Sequence, residues 1–252
     1  MGIVIFFILM LVWLLPLYLL TEKKGMVAKK WLLFSLLLIA IGGFVIVVSV
    51  QLGFEYLVSL TGLAGVPLMF VNTMISAGVF EELFKFAGGA LIIRLSGAKR
   101  KIDYVLLMTA AGLGFEITES LLACSDGDLI SSIIRGVTCF HIFWQMFMGS
   151  RYYEACQARL GGDQGKFRLG MAKTLLIPIV LHGLNDFSIY YMMSFVNTFN
   201  EGLTTAEETS LLVSIVLFAL DFAVNIVFLV LTYREALREA KTSHLTEAAA
   251  KA

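Results

Sequence analysis

Two adjacent glutamates, Glu81 and Glu82, with Lys85 one helical turn further on, are the most chemically loaded stretch of a 252-residue chain that is otherwise strongly apolar. Neighbouring residues on a helix point about 100° apart, so a single lysine cannot satisfy both carboxylates and at least one must face something else. A carboxylate held away from bulk water beside a second one is a candidate general base or acid. Further along, His182 and Asp186 share one helical face at i, i+4, where the aspartate can orient the imidazole or both can hold a metal ion. His141, Glu116 and Glu119 add a second imidazole and two more carboxylates, also inside apolar runs. Each of these groups also has a structural reading. Lys85 is placed for an intrahelical ion pair with Glu81 or Glu82. Arg135 and Glu119 lie at matching depths on successive runs and suit an interhelical pair that lowers the burial cost of both. Glu116, and Asp221 with Asn225 at i, i+4, fit helix packing better than direct chemistry.

The elements that must position these groups are membrane helices. Apolar runs at residues 2–20, 31–50, 66–95, 104–122, 129–150, 174–193 and 211–233 are each long enough to cross a hydrocarbon core of ~30 Å, which predicts an all-α, polytopic bundle of about seven spans. The third run, entered through Gly65-Val66-Pro67, exceeds one crossing and is expected to tilt or break. All but two of the 19 lysines and arginines, Lys85 and Arg135, fall in alternate connections and the tail. The positive-inside rule then predicts an external N-terminus and a cytoplasmic C-terminus. Residues 2–20 lack a basic leader and a small-residue cleavage site, and Lys23 and Lys24 follow them, so they read as an anchor rather than a signal peptide. One membrane domain over 1–233 and a tail over 234–252 are expected, with no function given to the spacer-like Glu247-Ala-Ala-Ala-Lys251-Ala.

Composition closes off other classes. Hydrophobic residues make up 59% of the chain, charged residues 15%, and mean hydropathy is +0.87, values that exclude an ordinary water-soluble globule. A net charge of zero with no basic stripe removes the electrostatic basis of nucleic-acid binding. Cys124, Cys139 and Cys156 are odd in number and lack metal-type spacing, and they read as small hydrophobes. An ionised side chain at the centre of a span costs about 2.5–3.5 kcal/mol even on the lenient insertion scale, so ten ionisable groups within spans must meet each other or water. Counted at ~1.5 Å per residue from the basic ends, Glu82, Glu119, His141, His182 and Asp186 converge on one level in the middle-to-outer part of the core.

Four blocks carry a resemblance to a known family: Phe80-Glu81-Glu82-Leu83-Phe84-Lys85; Gly112-Leu113-Gly114-Phe115-Glu116-Ile117-Thr118-Glu119-Ser120; Arg135 through His141; and Leu181-His182-Gly183-Leu184-Asn185-Asp186-Phe187. Together they resemble the PrsW family of polytopic membrane peptidases, itself similar to the wider CAAX-prenyl-protease clan. The resemblance spans residues 80–187. It implies that Glu81 and Glu82 supply catalytic carboxylates, with His141 and His182 catalytic and Glu119, Asp186, Lys85 and Arg135 supporting. Two positions depart from the family, Ser120 where asparagine is common and Glu116 where a small residue is common. The implied setting is a bacterial or archaeal cell membrane, with lipid around the protein and a single-pass or other membrane protein as substrate in regulated intramembrane proteolysis.

The chemistry expected is peptide-bond hydrolysis, with Glu82 or Glu81 taking a proton from water and the two histidines stabilising the oxyanion or protonating the leaving amine. A metal-assisted version places His141, His182 and a carboxylate around zinc; the absence of a His-Glu-x-x-His motif leaves both versions open. Cys139 sits two positions from His141 and faces away from it on a helix, which leaves a thiol nucleophile poorly supported. The rival from another class is a proton-coupled transporter or ion-conducting protein, though the chain shows no internal repeat. A non-catalytic scaffold is the third reading. Phe143, Trp144, Met146 and Met148 are expected to pack or face lipid rather than to line a groove.

Overall fold

The computed structural model describes residues 29–123, 140–199 and 204–249. Among these residues the chain is helical and contains no strand. α1 (Lys29–Gly42) passes through a π-helical turn, Gly43–Val47, into α2 (Val48–Ser59). After a short exposed connection, α3 (Gly65–Asn72) widens into a nine-residue π segment, Thr73–Glu81, and tightens again into α4 (Glu82–Ser96). The remaining helices are α5 (Lys101–Ala123), α6 (Phe140–Leu160), α7 (Gln164–Phe199) and α8 (Thr205–Ala249). Gly97, at φ 68°, ends α4 in the left-handed region, and Gly162, at φ 82°, turns the chain between α6 and α7.

Four of the described helical stretches are long and apolar enough to cross a membrane: Lys30–Ser59, Gly65–Ser96, Gln164–Phe195 and Glu207–Arg238. They carry the exposed large apolar side chains, among them Leu37, Ile41, Leu91, Leu176, Val180, Leu220 and Val224. Side chains that water would disfavour are at home against lipid. The expected first run and Arg135, with Cys124 and Cys139, lie outside the described residues.

α5 and α6, the counterparts of the fourth and fifth runs, are the inner helices. Every residue of α5 from Val105 to Glu116 is buried, as are His141 to Met146 and Met148 to Ser150 of α6. Ile102, Val105, Leu106 and Leu113 pack there on Ile142, Phe143 and Met146, with Leu229 and Ala236 of α8 closing the cluster. Surrounded by protein on all sides, the two helices can hold polar groups that a lipid-facing helix cannot. Phe143, Trp144, Met146 and Met148 are all at most 1% exposed, so they pack inside the bundle and none meets lipid.

The helices overrun the apolar runs that announce them. α6 continues to Leu160 and α8 to Ala249, well past the ends set by hydropathy, and just beyond those ends Arg151 pairs with Glu154 of α6 and Glu235 of α8. The long third run neither ends nor kinks at a proline. It accommodates its extra length as the π segment, which delivers Glu81 as its last residue and Glu82 as the first residue of α4.

Candidate active site

The π segment lies directly on α7. A Cβ added to Gly78 would come within 2.7 Å of the Ile179 carbonyl oxygen and 3.3 Å of Gly183 Cα, a backbone-to-backbone approach that only glycine allows. The residue between those two α7 contacts and next to Gly183 is His182, so the same contact sets the imidazole beside Glu81 and Glu82. On the other side, a Cβ on Gly112 of α5 would meet the His141 carbonyl oxygen at 2.5 Å, which brings α6 close enough for its histidine to reach α4.

Glu82 is wholly buried, and both of its oxygens are occupied. Oε1 lies 2.5 Å from Lys85 Nζ and 2.8 Å from His182 Nδ1, and Oε2 accepts from Gln145 Nε2 at 2.9 Å. Lys85, also wholly buried, donates to His141 Nδ1 at 2.9 Å and sits 4.2 Å from the centre of the Phe115 ring. An ammonium has no lone pair, so His141 Nδ1 must be the acceptor and its Nε2 carries the proton, donated to Glu119 Oε2 at 2.5 Å. The lysine is therefore both the intrahelical partner that its spacing suggests and a bridge between α4 and α6.

Glu81 is bound differently. Its Oε1 accepts from Gln51 Nε2 at 2.9 Å, while Oε2 is buried and has no hydrogen-bond partner. The groups nearest that oxygen are Lys85 Nζ and His182 Nε2, each at 3.7 Å. Asp186 Oδ2 also stands 3.7 Å from His182 Nε2, one turn along α7. The two imidazole rings are 4.7 Å apart, centre to centre, and the Trp144 indole stacks on His182 at 4.6 Å and 30°. Trp144 is held in turn by its Nε1, which donates to Asn225 Oδ1 at 3.0 Å. Asn225 also donates to Asp221 Oδ1 at 3.2 Å, and Ser120 donates to Glu116 Oε1 at 3.0 Å.

Glu81, Glu82, Lys85, Glu119, His141, His182 and Asp186 thus stand in one connected cluster fed by α4, α5, α6, α7 and the π segment. Glu116 and Asp221 lie off it, in pairs of their own. Three contributors have no counterpart among the sequence candidates: Gln51, Gln145 and Trp144. Neutral amides in apolar runs cost much less than charges, so a search for ionised groups passes over them.

One atom from each of Glu81, His141 and His182 lies within 4.8 Å of the others. Two imidazoles and a carboxylate are a donor set that zinc accepts, and the unpartnered Glu81 Oε2 is free to serve. His182 Nδ1 on Glu82 and His141 Nε2 on Glu119 match the carboxylate contacts that usually orient metal-bound histidines. The residues present therefore fit a metal ion, on condition that His141 Nδ1 exchanges Lys85 for it.

No curated protein and no solved structure matches the chain. A family model described as PrsW family intramembrane metalloprotease matches residues 28–224, which covers every group in the cluster. Most of the sequence and all of the site fall inside that match, and the chain belongs to the PrsW family of intramembrane metalloproteases.

Proposed function

We propose that the protein is an intramembrane endopeptidase that hydrolyses a peptide bond of a membrane protein, with Glu81 as the residue that handles the attacking water. The observation that carries this reading is the buried, unpartnered Oε2 of Glu81, held 3.7 Å from a histidine nitrogen while Gln51 fixes the other oxygen. A base must have a free lone pair facing the reacting atoms, and Glu81 Oε2 is a buried carboxylate oxygen with no donor on it. Glu82 is the positioning group. Both of its oxygens are already engaged, by Lys85, His182 and Gln145, and it holds His182 with Nδ1–H toward the carboxylate. His182 then presents the lone pair of Nε2 to the same space as Glu81, 3.7 Å from its Oε2, placed to receive the proton that Glu81 takes from water and, once protonated, to stabilise the oxyanion or pass that proton to the departing amine. His141, fixed between Lys85 and Glu119, closes the opposite side. A bound metal held by Glu81, His141 and His182 would supply Lewis-acid activation of water, with Glu82 and Glu119 orienting its histidines.

In a setting of regulated intramembrane proteolysis, the substrate is a single-pass membrane regulator whose helix must unwind to reach so enclosed a site. The test is cleavage of candidate single-pass substrates by purified protein, comparing the parent with Glu81→Gln, Glu82→Gln and His182→Ala. Loss of cleavage in all three, with intact folding of Glu81→Gln, is the expected result, and retained cleavage in all three overturns the reading. Metal content measured on the active preparation separates activation by glutamate alone from activation by a bound ion. Proton flux through liposomes, unaffected by candidate substrates, would instead favour the transporter alternative.

A further inference from the structure

Three buried polar atoms without hydrogen-bond partners follow one another along the π segment: Asn72 Oδ1 at its start, Ser76 Oγ within it and Glu81 Oε2 at its end. Their spacings are four and five residues, which bracket the ~4.4 residues per turn of a π-helix with its i→i+5 bonds. In a regular α-helix, at 100° per residue, Asn72 and Glu81 would be about 180° apart. Widened to the π form, the same nine steps bring them to within roughly 20° of each other. The π segment thereby lines up three polar side chains on one face, ending on the carboxylate.

A buried polar atom left unpaired is destabilising, so three in one file demand partners that the packed side chains do not supply. Ordered water meets the requirement where polar groups recur at short intervals. Gln51 reaches into the same file, bonding Ser76 O at 3.3 Å as well as Glu81 Oε1. The file spans at most about 14 Å at ~1.5 Å per residue. It runs from Glu81 toward Gly65, away from the basic turn at Arg94, Lys99 and Arg100.

We propose that Asn72, Ser76 and Glu81 form a water file along the π segment, delivering water to Glu81 from the end of the bundle opposite the basic turns. Its purpose rests on the hydrolytic reading above, but its existence does not. Peptide hydrolysis consumes one water per bond cut, and a site enclosed by apolar helices needs a route for it.

Thiol accessibility tests the file without reference to activity. Cys124, Cys139 and Cys156 are replaced by alanine, and single cysteines are introduced by Ser76→Cys and Asn72→Cys. Controls are Ala77→Cys, buried beside Ser76, and Leu83→Cys, exposed on the lipid side. A charged, membrane-impermeant thiosulfonate reacts with thiolates, which exist only where water reaches, so Ser76→Cys and Asn72→Cys should react about tenfold or more faster than both controls. Equal rates at all four positions overturn the proposal. The pattern should persist with Glu81→Gln added, so a failure of the peptidase reading leaves this measurement standing. In a cleavage assay, Ser76→Val should lower kcat roughly tenfold at unchanged KM, and Ser76→Thr should restore it. A Ser76→Val enzyme with parental kcat also overturns the proposal.

Discussion

Two clusters of acids and bases tie the helices of this bundle together, and they differ in what they leave over. At the basic end, Lys101 of α5, Arg151 and Glu154 of α6 and Glu235 of α8 pair at 2.7–3.0 Å, with Ser150 donating to Glu235 at 2.6 Å. All four carboxylate oxygens there have a donor. In the interior cluster, Glu82 is equally saturated but Glu81 keeps one oxygen free, in surroundings that are almost fully buried. A network meant only to hold helices can satisfy every atom. One that does chemistry must withhold at least one, and the burial that makes the omission costly also makes it useful.

The comparison can be broken by thermal unfolding in detergent, and the expected effects run from large to small. Lys85→Met removes the ammonium paired with Glu82, and a buried charge stripped of its partner costs about 3–5 kcal/mol. Adding Glu82→Gln should return part of that loss; a double variant less stable than the single one would contradict the pairing. Gly78→Ala forces the π segment off the α7 backbone, with a cost of about 1–3 kcal/mol and loss of cleavage through displacement of His182. An unchanged melting temperature for it would show that the contact is not tight.

Glu154→Ala, at the half-exposed basic end, should cost less than about 1 kcal/mol and less still in high salt. Burial raises the Glu154 proton affinity, but hydrogen bonds from Lys101 and Arg151 outweigh it and hold the carboxyl below its ordinary 4.5. Its contribution is therefore present above 4.5 and lost as pH falls through the lowered value. Lys101 is raised above 10.5, since its bonds to Glu154 and Glu235 outweigh desolvation, so its share is lost only as pH rises through that higher value. The difference between parent and Glu154→Ala should hold across the neutral range and vanish in acid. Last, Glu81→Gln should leave stability undiminished while abolishing cleavage. A marked loss of stability would mean that the free oxygen is structural after all.

The groups legible in the sequence were those whose presence in lipid is expensive. Glu81, Glu82, His182 and Asp186 announce themselves because an apolar run cannot carry them without a reason, and spacing then puts Lys85 under the glutamates and Asp186 under His182. Matching of depths assigned Glu119 to Arg135, which lies outside the described residues, and gave no sign of its bond to His141. Gln51 and Gln145 stayed hidden, since an amide is a minor irregularity in an apolar sequence. Trp144 reads as one more aromatic until the fold stacks it on His182. The π segment is invisible to any reading that assumes 3.6 residues per turn, yet it decides which side chains share a face with Glu81.

The contact between Trp144 and His182 gives the protein a reporter of its own. With three tryptophans in the chain, replacing Trp13 and Trp31 by phenylalanine leaves a single indole whose ring lies 4.6 Å from the His182 imidazole. Whatever occupies or vacates that histidine, whether ion, inhibitor or unwound substrate, changes the electronic surroundings of the fluorophore. Emission intensity then becomes a label-free gauge of site occupancy, usable in intact vesicles where turnover is hard to follow.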